Sequence, residues 1–250
     1  MNFLKEAAFV ATIAGCMNLT VHAQNNISKY EFGIHVGFLV YQGDLTPQKL
    51  GSFKTQTPAI GLYASRIFSP SFSLRTNLAF GKLKGDDAKY SFPAYRQQRN
   101  FNFSSPVIEI SELLVWNAVA RDYINWEFSP YLFAGVGFSF LRISRDWSNI
   151  NTAYFSPESS EIWTGIVTDA AHTPPRLIAV VPAGAGLKYF ISPVWAINAE
   201  TSYRFVFTDY LDGFSHAADP QRDDHYFEYS AGLIYRAGKK DRLGCPVIKY

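Results

Sequence analysis

The stretch Trp195-Ala196-Ile197-Asn198-Ala199-Glu200-Thr201-Ser202-Tyr203-Arg204-Phe205-Val206-Phe207 decides the fold. Trp195, Ile197, Ala199, Thr201, Tyr203, Phe205 and Phe207 alternate with Asn198, Glu200, Ser202 and Arg204. A helix would scatter these apolar residues around its axis, whereas a strand puts them on one side. The other side then carries a glutamate and an arginine, so one face suits an apolar solvent and the other does not.

The same period of two recurs on both sides of this stretch. Downstream, Tyr226–Arg236 places Phe227, Tyr229, Ala231, Leu233 and Tyr235 together. Upstream, Ile178–Ile191 alternates Val181, Ala183, Ala185, Leu187 and Tyr189 with Pro182, Gly184, Gly186 and Lys188. Tyr131–Leu141 alternates Leu132, Ala134, Val136, Phe138 and Phe140 with Gly135, Gly137 and Ser139. Val107–Ala118 is less clean, because Glu109 and Glu112 have opposite parity. Phe72–Leu83, Ala59–Phe68 and Tyr30–Tyr41 complete the set, the last with Phe32, Ile34, Val36 and Phe38 opposite Glu31, Gly33, His35 and Gly37. Each run has about 9–14 residues, near the length of a tilted transmembrane strand.

The connections separate a barrel from a soluble sandwich, the competing all-β architecture. An apolar residue followed by Ser-Pro recurs at Phe68-Ser69-Pro70, Phe128-Ser129-Pro130 and Ile191-Ser192-Pro193. Proline removes a ladder donor, so these are read as turns or strand starts. The other connections, Gln42–Pro58, Lys84–Pro106, Ser144–Arg176 and Thr208–His225, are long and polar. Short turns alternating with long loops mark an outer-membrane barrel, with turns in the periplasm and loops outside. The sequence therefore predicts an all-β fold: an eight-stranded antiparallel transmembrane β-barrel over residues 24–236.

Composition agrees. Aromatic residues make up 16% of the 250, with 21 Phe and 15 Tyr, which suits interfacial girdles. Mean hydropathy is −0.05, and nothing after the N-terminus is long and apolar enough for a helical span. A net charge of +2 gives no reason to expect nucleic acid. Eight strands enclose an interior just wide enough for side chains. Arg75, Glu109, Lys188, Glu200 and Arg204 are predicted to share it as a salt-bridged plug, with small inward glycines leaving them room. An open pore is not expected.

Residues 1–23 read as a signal peptide: Lys5, an apolar stretch from Ala7 to Cys16, and the small-residue site Val21-His22-Ala23 before Gln24. Ile13-Ala14-Gly15-Cys16 also looks like a lipobox, which would lipidate Cys16 instead. Cleavage after Ala23 leaves Cys245 as the one cysteine, with no intrachain disulfide. It lies in a basic tail, 237–250, expected in the periplasm with the N-terminus. Lys239, Lys240, Arg242 and Cys245 are candidates for docking a periplasmic partner.

Several short segments carry a family resemblance. They are Tyr41-Gln42-Gly43-Asp44-Leu45, Arg75-Thr76-Asn77-Leu78-Ala79-Phe80-Gly81 leading into Gly85-Asp86-Asp87-Ala88, Arg99-Asn100-Phe101-Asn102-Phe103 preceding Ser105-Pro106-Val107-Ile108-Glu109-Ile110, Ser129-Pro130-Tyr131-Leu132-Phe133-Ala134-Gly135-Val136-Gly137, and Phe207-Thr208-Asp209-Tyr210-Leu211-Asp212. In this order and spacing they resemble the PorG-like family of outer-membrane barrels from Bacteroidetes. The resemblance implies a non-enzymatic component of the type IX secretion system, set in outer-membrane lipid. It implies association with periplasmic ring subunits, a lipoprotein and its partner. One departure is the long loop Ser144–Arg176 with Trp147 and Trp163, suited to a different external partner. The alternatives are an adhesin or binding barrel acting through its loops, and a lipid-modifying enzyme.

No catalytic, cofactor or metal constellation is expected. Ser215-His216 near Asp212 and Asp219 offers a nucleophile, a base and an acid, but sequence neighbours do not form a triad unless the loop folds back. His35 is read as a hydrogen-bonded lumen residue. Asp209, Asp212, Asp219, Asp223 and Asp224 match no calcium-loop spacing and are read as a solvated loop. Phe205, Phe207 and Tyr210 are assigned to the outer aromatic girdle.

Overall fold

The structure is a computed structural model and describes residues 29–48, 51–119, 128–155, 161–218 and 223–237. The signal-peptide reading of 1–23, the Cys16 alternative and the docking residues Lys239, Lys240, Arg242 and Cys245 lie outside the described residues.

Eight long strands form one antiparallel sheet: β1 (Tyr30–Gln42), β2 (Thr57–Ile67), β3 (Phe72–Asp86), β4 (Asn102–Asn117), β5 (Phe128–Leu141), β7 (Leu177–Phe190), β8 (Trp195–Val206) and β9 (His225–Ala237). Each pairs with its sequence neighbour, β5 pairs with β7, and β1 pairs with β9, so the sheet closes on itself. Closure leaves no long strand edge in hydrocarbon, where an unpaired backbone group has no water to bond. A short β6 (Ser144–Asp146) pairs with Asn102–Ser104, beyond the barrel wall.

The faces follow the alternation. Phe32, Ile34, Val36 and Phe38 point outward, while Glu31 and His35 are buried inside. Outward aromatics gather at two heights. Trp195 and Tyr235 (5.0 Å between ring centres), Phe128 and Tyr189 (4.8 Å) and the register pair Phe72–Trp116 mark the end with the short turns. Phe53–Tyr229 (5.3 Å), Tyr203–Phe227 (4.6 Å), Phe80, Phe140 and Phe205 mark the loop end. From Trp195 to Phe205 a strand tilted by about 40° climbs roughly 25 Å, the height of the apolar band of a transmembrane barrel. Among the described residues no helix is long and apolar enough to cross a membrane, and the strands do the spanning.

Two boundaries differ from the sequence reading. β3 and β4 run on to Asp86 and Asn102, so a hairpin projects past the membrane and the connection shrinks to 87–101. Its outer positions turn polar there because they face water, which hid the continuing ladder. Ser129-Pro130 is not a turn; Pro130 is the third residue of β5, and its carbonyl accepts from Ala118 N at 3.1 Å.

Candidate functional site

The polar interior has three tiers, each assembled across the barrel from strands far apart in sequence. Nearest the turns, Lys188 Nζ lies 2.6 Å from Glu31 Oε2, and Arg236 Nε 3.4 Å from Glu31 Oε1. In the middle, Arg75 Nη1 donates to Glu200 Oε1 at 2.8 Å. Tyr131 and Asn198 donate to the same carboxylate, and the Arg75 guanidinium lies 4.3 Å from the Tyr63 ring centre. Toward the loops, Arg204 binds Glu109 at 3.2 Å and also binds Glu228. Tyr226 donates to Glu109 at 2.8 Å, and His35 Nε2 approaches Glu228 at 3.2 Å.

All five residues predicted for the lumen are inside; Arg75, Glu109, Lys188 and Arg204 are buried, and Glu200 is partly buried with its side chain 8% exposed. The structure brings Arg75 to Glu200 and Arg204 to Glu109, while Lys188 pairs with Glu31 instead. Glu31, Glu228, Arg236 and Tyr131 were missed as members, although each has inward parity in its run. With them, Arg75, Lys188, Arg204 and Arg236 face Glu31, Glu109, Glu200 and Glu228, so the buried charges balance. Balance matters because an unpaired buried ion costs several kcal/mol. Close approach also needs small neighbours: a Cβ on Gly186 would sit 2.3 Å from the Tyr131 ring. Cavities at the turn-end mouth and below the loops each hold about 10 Å³, roughly one water. The lumen is a packed core.

Above the third tier the loops fold into a cap with its own apolar core. Leu45, Phe101, Ile166, Leu211, Phe214 and Ala217 pack on Tyr41, Leu83 and Phe103 from the strand ends. Phe214, from the β8–β9 loop, stacks on Phe101 at 4.6 Å. Trp147 and Trp163, the tryptophans of the long loop, turn partly inward against this core.

Three polar latches hold the cap. Asp87 accepts from Arg96 (2.8 Å) and Arg99 (2.6 Å), on helix α1 (Tyr95–Arg99), and both arginines also donate to the Asp44 carbonyl. Burial works against the Arg99 charge, but Asp87 more than offsets it and holds the guanidinium above its usual value. Asp169, near the end of helix α2 (Glu161–Ala171), accepts from Ser215 N (3.1 Å), His216 N (3.1 Å) and Ala217 N (2.9 Å). Gly165 allows that contact, since a Cβ there would lie 2.3 Å from the His216 carbonyl oxygen. Arg145 binds the carbonyls of Asp169, His172 and Gly213, satisfying the end of α2.

The third latch is acidic. Tyr41 Oη lies 2.7 Å from Asp212 Oδ2 and 2.6 Å from Asp224 Oδ1. Asp224 also accepts from the backbone N–H groups of Leu211 and Asp212, and Asp212 from that of Phe214. Burial, followed by neighbouring carboxylates, pushes both aspartates well above the usual range. One phenolic hydrogen serves only one of the two contacts, so the second requires a proton on a carboxyl.

This corrects the reading of the last loop as solvated. Asp212 and Asp224 are fully buried, while Asp223 stays exposed and Asp219 lies outside the described residues. Tyr210 is not a girdle residue; it stacks on His172 at 4.0 Å inside the loop assembly, while Phe205 and Phe207 do face outward. The Ser215-His216 pair forms no triad with Asp212: His216 Nδ1 faces Tyr210 (3.2 Å) and Asp169 (3.5 Å). Among the described residues no cluster of His, Cys, Asp and Glu is arranged to hold a metal ion.

Fold and site together define an eight-stranded transmembrane β-barrel of the outer-membrane type, with an ion-paired interior and a folded cap at one mouth. The chain belongs to the family described as domain of unknown function DUF6089, whose model matches residues 8–233. No curated protein matches it. Among solved structures it is similar to the outer membrane protein OprG from Pseudomonas aeruginosa (12% identity, 84% of this chain and 98% of that one, TM-score 0.45). It is also similar to the attachment invasion locus protein Ail of Yersinia pestis (14%, 84% and 99%, TM-score 0.44) and to Neisserial surface protein A (14%, 84% and 97%, TM-score 0.43). The closed ladder of strand pairs, rather than these distant likenesses, defines the barrel.

Proposed function

We propose that the protein is a non-enzymatic, non-conducting anchor in the outer membrane that organises a periplasmic ring of the type IX secretion machinery. The observation that carries the anchoring role is the filled lumen: among the described residues, charges paired four against four lie beneath an apolar cap. A barrel that transports nothing through itself acts through its ends or its outer wall. The secretion role comes from the PorG-like segments. Several of their residues, Tyr41, Asp44, Leu45, Phe101 and Asp212, meet in the cap. In this reading the turns and both termini face the periplasm, and the tail with Lys239, Lys240, Arg242 and Cys245 docks the ring.

Deleting the gene should block export of many cargo proteins together, and mild-detergent purification should recover ring subunits. Truncation after Ala237 should leave a folded barrel that no longer recovers them. Normal export in the deletion strain refutes the reading.

A second reading, a surface-binding barrel, is favoured by the apolar side chains that the loops leave in water, notably Phe92 at 81% exposure and Tyr154 at 59%. It predicts loss of binding on replacing these residues, with export intact.

A further inference from the structure

Glu112 is the residue that spoils the alternation of β4. Glu109 points inward to Arg204, but Glu112, between the inward Ser111 and Leu113, points out of the barrel. Its height follows from the register. Four residues toward the turns, Trp116 stands beside Phe72 and Leu132; four toward the loops, Ile108 stands beside Phe80 and Phe140. At the rise and tilt of a barrel strand the carboxyl is about 10 Å from either girdle, in the middle of the apolar band.

There Glu112 Oε2 accepts one hydrogen bond, from the Thr76 hydroxyl at 2.7 Å. The other charged side chains on the outer strand faces stand near the ends: Arg66 by the turns, and Lys82, Lys84 and Asp86 by the loops. Among the described residues no outward cation reaches this depth. The outward side chains beside Glu112 on β5 and β7 are small. Val136, opposite it on β5, is 66% exposed. Here the β5–β7 ladder keeps its register but skips the Gly135–Pro182 and Val136–Val181 positions, where Pro182 has no N–H. Ala134, Val181 and Ala183 complete a shallow outward surface next to the carboxyl.

An ionisable group within a membrane is costly and ordinarily meets a partner. We propose that the outer face of β3–β5 around Glu112 is a lateral docking surface. Its occupant is a membrane-spanning segment of another protein that presents a basic or amide side chain at mid-bilayer depth. Charge selects this occupant. A second copy docking by two-fold symmetry would set carboxyl against carboxyl, and lipid tails bring no hydrogen-bond donor. A segment with Lys, Arg, Asn or Gln supplies what the site lacks. The inference is independent of the secretion role.

The test places a photoreactive amino acid at Val136 in the full chain in native membranes, with Leu233, outward on the opposite side, as control. The expected result is a crosslink from Val136 and not from Leu233 to a membrane-spanning protein identified by mass spectrometry. Glu112→Leu should reduce it about tenfold, the scale of one charge-assisted hydrogen bond, whereas Glu112→Gln should retain more. Glu112→Lys should abolish it, and an acidic replacement of the captured segment's basic or amide residue should restore it. Heat-dependent gel mobility verifies that each variant barrel is folded. If Glu112→Leu does not fold, the Glu112→Lys rescue decides. Crosslinks only to another copy of this chain, crosslinks only to lipid, or a yield indifferent to residue 112 overturn the proposal.

Discussion

Replacing Asp169 by asparagine should undock the cap and leave the barrel intact. The carboxylate takes three backbone N–H groups from the β8–β9 loop: Oδ2 those of Ser215 and Ala217, Oδ1 that of His216. Asparagine keeps one oxygen and turns an NH₂ toward the remaining donors, so at least one buried N–H faces another. Hydrogen bonds to a charged group are worth about 1.5–3 kcal/mol each, and an orphaned buried donor costs about 1–3 kcal/mol. Allowing for relaxation, Asp169→Asn should weaken the latch by about 3 kcal/mol, roughly a hundredfold in the closed-to-open ratio. Hydrogen exchange read by mass spectrometry measures this directly. Exchange should speed up in 161–171 and 211–218, while β8 and β9 keep their protection, because their ladder bonds do not involve the loop. Unchanged protection at the loop would refute the latch. An equal loss across β8 and β9 would show that cap and wall form one cooperative unit.

The acidic latch makes cap closure pH-dependent. Asp212 and Asp224 bind protons more tightly when buried than when released, so closure is fully favoured below the ordinary aspartate range. That stability is lost as pH rises through their raised values. Protease cleavage within 208–218 should therefore increase as pH is raised above the ordinary aspartate range, about pH 4, after correction for protease activity. Asp212→Asn, a neutral isostere, should flatten the dependence and protect the loop at the upper end. In the lumen, Glu200→Leu leaves Arg75 buried without its carboxylate and should cost about 3–5 kcal/mol in denaturant unfolding from lipid vesicles. Combining it with Arg75→Met should recover most of the loss; no recovery would mean that the pair is not the coupled unit seen in the middle tier.

The wall of this protein was legible in the sequence because a strand's side chains alternate by local geometry alone. Trp195 through Phe207 sorts into lipid-facing and lumen-facing sets without knowledge of any neighbour. For the same reason Arg75, Glu109, Lys188, Glu200 and Arg204 could be placed inside, and the odd parity of Glu112 was visible. Their pairings were not. Which cation meets which carboxylate depends on strand order around the circle and on register, and so Lys188 meets Glu31, 157 residues away. The cap was illegible for a stronger reason. Its members come from separate loops, share no periodicity, and carry the polar character of solvated segments. Asp224 looks like one more loop charge until closure of the barrel brings it to Tyr41, 183 residues earlier. Alternation is a property of a few neighbouring residues, whereas the burial of Asp212, Asp224 and Phe214 exists only after the mouth has assembled around them.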